Sequence, residues 1–209
     1  MKFRQWTIML VGLAALVALA VMAVSMFMAS TTEPPAALPP TAGRAAAPPQ
    51  ADAHATADRV LAVLKVKDGP ALAALVDDRG VRLTPSAFVD VAADQVLSPA
   101  EVRAFWTDRA SRVWGYIEAS GDPIDLTPAA YAARYILDHD YANATVSVNG
   151  NTDRGTTTDN TATAYPGATR VEYFRQGSDP LDWSALRLVL APAGNGWRLI
   201  GIIHDEWTP

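Results

Sequence analysis

Hydrophobic and polar positions divide the chain into three stretches with different patterns. From Trp6 to Ala29 there is no charge, and only Thr7, Gly12 and Ser25 interrupt a 24-residue apolar run. A helix needs about 20 such residues to cross the hydrocarbon core of a bilayer. Lys2 and Arg4 precede the run, which holds the N-terminus in the cytoplasm by the positive-inside rule. Residues 1–30 therefore predict a transmembrane helix acting as an uncleaved anchor. A secretory signal has a shorter apolar region ending in a small-x-small site, and Phe27-Met28-Ala29 lacks the first small residue. Cleavage after Ala29 is the alternative. Residues 31–51 hold Pro34, Pro35, Pro39, Pro40, Pro48 and Pro49 among alanines, a pattern that fits neither helix interior nor sheet and predicts an extended spacer.

Beyond residue 52 the periodicity is first helical, then alternating. Ala57, Val60, Leu61 and Leu64 recur at helical spacing. Asp68-Gly69-Pro70 restarts the chain with proline in a first helical turn, and Leu72, Leu75 and Val76 form the next apolar face. Val81-Arg82-Leu83 reads as a short strand after Gly80. Ser98-Pro99-Ala100-Glu101 has the form of a capping box and predicts a helix from Pro99 to about Asp108. Thr127-Pro128 repeats the device, for a helix ending near Asp138. Strand patterns follow at Ala144 to Val148, at Arg170 to Tyr173, and at Ser184 to Ala191 with Trp197 to Ile203, the last two closed into a hairpin by Gly194-Asn195-Gly196. A polar loop separates the first two, from Asn149 to about Thr163. Helices followed by a run of strands predict an α+β domain over residues 52–209.

Composition narrows the chemistry. The chain has no cysteine, which excludes disulfides, thiolate nucleophiles, cysteine metal sites and a lipid-modified N-terminal cysteine. Setting aside Lys2 and Arg4 leaves 15 basic residues against 22 acidic ones, near −7, which argues against nucleic acid and anionic lipid as partners. The Gly-x-Ser-x-Gly, phosphate-loop and His-Glu-x-x-His motifs are absent from the sequence.

The sharpest polar cluster is Ile202-Ile203-His204-Asp205-Glu206-Trp207. His204 beside a carboxylate suits a general base or a metal ligand, so His204 and Asp205 are the catalytic candidates. Strand alternation sends Asp205 to the face opposite His204, and the plainer reading is a strand end tied down by hydrogen bonds with Trp207 as a lid. Asp138-His139-Asp140 follows a helix end, where a histidine answers the helix dipole; with His204 it has the makings of a two-histidine metal site if the segments meet. His54 reads as solvated. Arg82, Arg187 and Arg198 alternate with apolar residues; facing inward they would bind carboxylate or phosphate, facing outward they line a half-exposed sheet. Trp106, Trp114, Tyr116, Tyr173, Trp183, Trp197 and Trp207 either line a pocket or pack the core.

The segment Val60 to Val76 is similar to the opening of nuclear-transport-factor-2-like (NTF2-like) domains. That resemblance implies helices closing over a curved antiparallel sheet in a cystatin-like roll, with dimers paired through their sheets. Gly80-Val81-Arg82-Leu83-Thr84-Pro85, Trp114-Gly115-Tyr116, Ser120-Gly121-Asp122-Pro123-Ile124, Val171-Glu172-Tyr173, Asp182 to Val189 and Gly201 to Trp207 resemble a family of uncharacterised bacterial secreted proteins and lipoproteins. It has no assigned activity, and this chain departs from its lipoprotein members by lacking the cysteine. The expectation is a single-pass cytoplasmic-membrane protein whose domain lies in the periplasm or outside the cell. It binds an envelope protein or small ligand on the concave sheet face through Arg82, Trp114, Tyr116, Tyr173, Arg187, His204 and Trp207, without cofactor or metal. The alternative is a small hydrolase or isomerase using His204 with a nearby carboxylate.

Overall fold

A computed structural model describes residues 50–207 apart from 118, 151–153, 155–157 and 195. The apolar run 6–29 and most of the proline spacer lie outside the described residues. Among those residues, no helix is long and apolar enough to cross a membrane.

Helix α1 (Gln50–Lys65) buries Ala53, Ala57, Val60 and Leu64, the stripe that the helical spacing marks. Helix α2 (Gly69–Ala73) starts where Asp68 Oδ1 accepts from Ala71 N at 2.9 Å. Strands β1 (Val81–Thr84) and β2 (Gln95–Leu97) flank an irregular segment, and α3 (Pro99–Ala104) follows. Its capping box forms as expected, with Ser98 N and Oγ both donating to Glu101 Oε2 at 2.8 Å. The helix closes at Ala104 instead of reaching Asp108. Strands β3 (Arg112–Tyr116) and β4 (Pro123–Leu126) make a separate two-stranded ribbon. Helix α4 (Pro128–Tyr135) is capped by Thr127 and ends three residues short of Asp138. After a 3-10 turn at Tyr141–Asn143 come β5 (Thr145–Val148), the short α5 (Thr161–Ala164), β6 (Thr169–Gln176), β7 (Trp183–Ala193) and β8 (Gly196–Glu206).

The six-stranded sheet has the order β2-β1-β8-β7-β6-β5. It is not wholly antiparallel, as the sequence suggests: β1 runs parallel to β8, with Arg82 opposite Gly201 and Thr84 opposite Ile203. A parallel neighbour needs a long crossover, and nearly the whole domain lies between these two strands. The domain is α+β, with both faces of the sheet covered. On one face α1 packs over Val171, Tyr173, Leu186, Leu188, Leu199 and Ile202, and Trp114 and Tyr131 extend the same core. On the other, a small cluster of Val89, Val189 and Ile203 lies beneath two connecting segments, the irregular 85–94 and 158–168 with its short α5. Asn160 ties these segments together, accepting from Val89 N at 2.7 Å and donating through Nδ2 to Val89 O at 3.0 Å. Nine consecutive residues of β7, Trp183 to Ala191, are consequently buried.

Candidate functional site

The hairpin β7–β8 presents its polar residues to opposite sides. His204 lies opposite Leu186, on the α1 face; Asp205 lies opposite Ala185, on the other. The neighbours His204 and Asp205 therefore face apart, each with its own partners.

His204 is 1% exposed and meets a carboxylate from a distant segment, with its Nε2 3.3 Å from Asp138 Oδ2. Asp138 sits in the connection after α4, where Tyr141 donates its hydroxyl to both carboxylate oxygens at 3.0 and 3.2 Å. The ring of Tyr135 stands edge-on to the imidazole at 5.5 Å. Burial alone would raise the Asp138 pKa. The hydrogen bond and charge of His204, then Tyr141 and His139, outweigh it and hold the carboxyl below its usual value. Burial and the adjacent Asp138 push the Tyr141 phenol well up, so it stays a neutral donor.

Asp138 opens onto a cleft of about 600 Å³ between α1 and the 137–142 connection. Leu61, Ala62, Leu137 and Ala142 give it apolar walls, with Asp58, Lys65, His139 and Asp140 around them. Lys65 Nζ is 3.2 Å from Asp140 Oδ1, and Asp58 Oδ1 accepts from Tyr173 OH at 2.7 Å. His204 stands behind Asp138 and does not line the cleft. The spacing argument for Asp138-His139-Asp140 thus ends in a carboxylate braced from below. No group of three or more His, Cys, Asp or Glu side chains suited to a metal occurs among the described residues.

On the opposite face a row of buried charges crosses three strands. Glu172 of β6 is directly opposite Arg187 of β7, and Arg187 Nε donates to Glu172 Oε2 at 2.8 Å. Arg187 Nη2 donates diagonally to Asp205 Oδ2 on β8. Arg154 completes the row from outside, Nη1 to Glu172 Oε1 at 2.8 Å. Arg187 is 0% exposed. It is neither an outward arginine on a half-exposed sheet nor open to a ligand; segment 158–168 converts that face into interior. Burial pushes Asp205 up to about 6, even though Arg187 acts to lower it. Arg82, on the same face, donates to the carbonyls of Asp90 and Asp94 at 3.4 and 3.2 Å.

The aromatic candidates separate in the same way. Trp114 is fully buried, with its Nε1 donating to Leu126 O at 2.8 Å and its ring stacked on Tyr131 at 4.3 Å. Tyr173 is buried beneath α1, Tyr116 is 58% exposed on the β3–β4 ribbon, and Trp207 is half-buried with its amide donating to Trp183 O. The seven candidate binding residues are not brought together on one surface. The sheet face under α1, where the sequence places a ligand, is filled by side chains.

The 85–94 segment carries a further titrating group. Asp94 Oδ2 accepts from Thr84 Oγ1 at 2.7 Å and from Asp90 N at 3.0 Å. Burial pushes its carboxyl up to about 6, well above the ordinary aspartate value, against the pull of Thr84, Asp90 and Arg82. The folded protein thus retains a proton that the unfolded chain has released. This contribution to stability is complete below the unfolded value and is lost as pH rises through about 6. Allowing for the solvent that reaches Asp94, we expect it to amount to on the order of 1–2 kcal/mol. Urea titrations from pH 4 to 7 should show a slope to which Asp94 and Asp205 both contribute, and Asp94→Asn should reduce it; an unchanged slope in the variant rejects the assignment.

No family model matches the chain, and no curated protein matches it. Solved structures do. An NTF2-like protein with a cystatin-like fold from Novosphingobium aromaticivorans is 16% identical, with 75% of this chain and 80% of that one aligned at a TM-score of 0.36. A domain of unknown function with a cystatin-like fold from Nostoc punctiforme is 10% identical, with 77% and 80% aligned at a TM-score of 0.35.

Proposed function

We propose that this chain is a non-catalytic binding module of the cell envelope with an NTF2-like, cystatin-like roll, tethered to the membrane through residues 6–29. Its ligand is an organic cation with an apolar body, held in the cleft between α1 and the 137–142 connection. The observation that carries this reading is Asp138, a carboxylate kept ionised by His204 and Tyr141 and set at the edge of a roughly 600 Å³ cleft with apolar walls. A ligand site of this kind combines apolar lining with a few placed polar groups.

The same geometry weighs against the enzyme alternative. A general base works best with a pKa near the operating pH, and Asp138 is moved the other way. His204, the catalytic candidate of the sequence, is enclosed behind it.

Calorimetric titration of the full chain with benzylammonium tests the proposal. We expect saturable binding that weakens about tenfold or more in Asp138→Asn, the loss of one charge-assisted contact. Equal binding of benzyl alcohol, or an indifferent Asp138→Asn, would overturn it. The tether is checked by alkaline extraction of membranes: the full chain should stay in the pellet, and a chain lacking residues 1–30 should not.

A further inference from the structure

A second pocket lies on the sheet face away from α1. It measures about 250 Å³ and is walled by Thr161, Ala162, Tyr165, Ala168, Arg170 and Val189, with Asn149 at its rim. Three residues of this wall carry a buried polar atom with no hydrogen-bond partner: Thr161 Oγ1, Tyr165 OH and Arg170 Nε. Thr161 is 2% exposed. Buried polar groups are nearly always satisfied, so such atoms gathered in the wall of one cavity call for a partner from outside the chain.

The remaining contacts of Arg170 define that partner. Its Nη1 donates to Asp159 Oδ2 at 2.8 Å, and its Nη2 donates to the carbonyl of Gly150. The guanidinium charge is therefore already answered by a carboxylate, and Nε–H is the buried donor without a partner. That group donates and never accepts, so the ligand must present an oxygen acceptor. An anion would bring its charge towards Asp159, which disfavours a carboxylate or phosphate. Thr161 can donate or accept, which suits a hydroxyl or amide. Val189, Ala162, Ala168 and the Tyr165 ring offer carbon surface to the ligand's other face. Tyr165 fits here because Gly201 has no side chain: a Cβ at Gly201 would come within 2.7 Å of the Tyr165 hydroxyl oxygen. The volume falls just below the roughly 300 Å³ lower bound of drug-sized sites, yet it far exceeds the ~30 Å³ of one water molecule.

We infer that this pocket binds a compact uncharged molecule carrying hydroxyl or amide oxygens, of about the size of one sugar ring, with Thr161 and Arg170 as its hydrogen-bonding residues. The site is separate from the Asp138 cleft and does not depend on it.

The test uses the full chain labelled with ¹⁵N-arginine and N-acetylglucosamine as the probe, because that molecule carries both kinds of oxygen. A saturable shift of the Arg170 Nε–H resonance is expected. Thr161→Val, which keeps the shape and removes the hydroxyl, should weaken binding about tenfold, the worth of one such hydrogen bond. Thr161→Ser should restore it, and Asp138→Asn should leave it unchanged. Saturable binding of acetate in place of the sugar would overturn the inference in favour of an anion site. An Arg170 Nε–H signal indifferent to the sugar, with wild type and Thr161→Val alike, would overturn it in favour of trapped water.

Discussion

Replacing Arg187 by methionine should destabilise the domain by roughly 3–5 kcal/mol, because it takes the guanidinium partner from the buried Asp205 and leaves the buried Glu172 with Arg154 alone. Glu172 and Asp205 both depend on this guanidinium, and all three side chains are essentially out of contact with solvent. Methionine fills much of the volume, so a cavity does not explain the loss; uncompensated charge does. The companion experiment separates these effects. Removing all three charges together, as Glu172→Leu, Arg187→Met and Asp205→Leu, should recover most of the stability, since an apolar set needs no desolvated partners. Urea midpoints of the two variants give the answer. If the triple variant is no more stable than Arg187→Met alone, the row of charges is not a closed unit, and the outer arginine Arg154 would be the next residue to change.

Trp114→Ala should cost a similar amount, about 3–5 kcal/mol, by a different route. The indole projects from β3 onto α4, edge-on to Phe105 at 6.1 Å, stacked on Tyr131 and bonded to Leu126 O. Alanine would leave a void with rigid walls and a carbonyl without its donor. Trp114→Phe should keep most of the packing and lose chiefly the hydrogen bond, about 1 kcal/mol. Neither change touches the cleft of Asp138, so benzylammonium affinity in the folded fraction should stay within about twofold of wild type. A large loss of affinity in Trp114→Phe would return the tryptophan to the ligand site.

How much of this was readable in the sequence follows from the range of each interaction. The caps at Asp68, Ser98 and Thr127 are legible because a cap is made within three residues of itself. The β7–β8 hairpin is legible for the same reason, its turn being written as Gly194-Asn195-Gly196. The strands β2, β3 and β4 and the helix α5 escape notice, being three to five residues long and held by neighbours rather than by their own pattern. Arg187 misleads because alternation identifies its face but not what covers that face. A signal existed: Leu186, Leu188, Val189 and Leu190 crowd both sides of Arg187, as in a strand buried on both faces. Asp138 and His204 were each singled out, yet they lie 66 residues apart in the chain, and only the finished sheet brings them into contact.

The place of β8 has a consequence for how this protein comes into being. It is the last described strand and yet sits in the middle of the sheet, the one link between β1–β2 and β5–β7. Joining Arg82 to Gly201 closes a loop of more than a hundred residues, an entropic cost that must be met before the pairing returns anything. Until that strand docks, the early helices and β1 have only a two-stranded scrap of sheet to lie on. Folding of this domain should therefore be slow and all-or-none, committed late, with its first half waiting on its last strand.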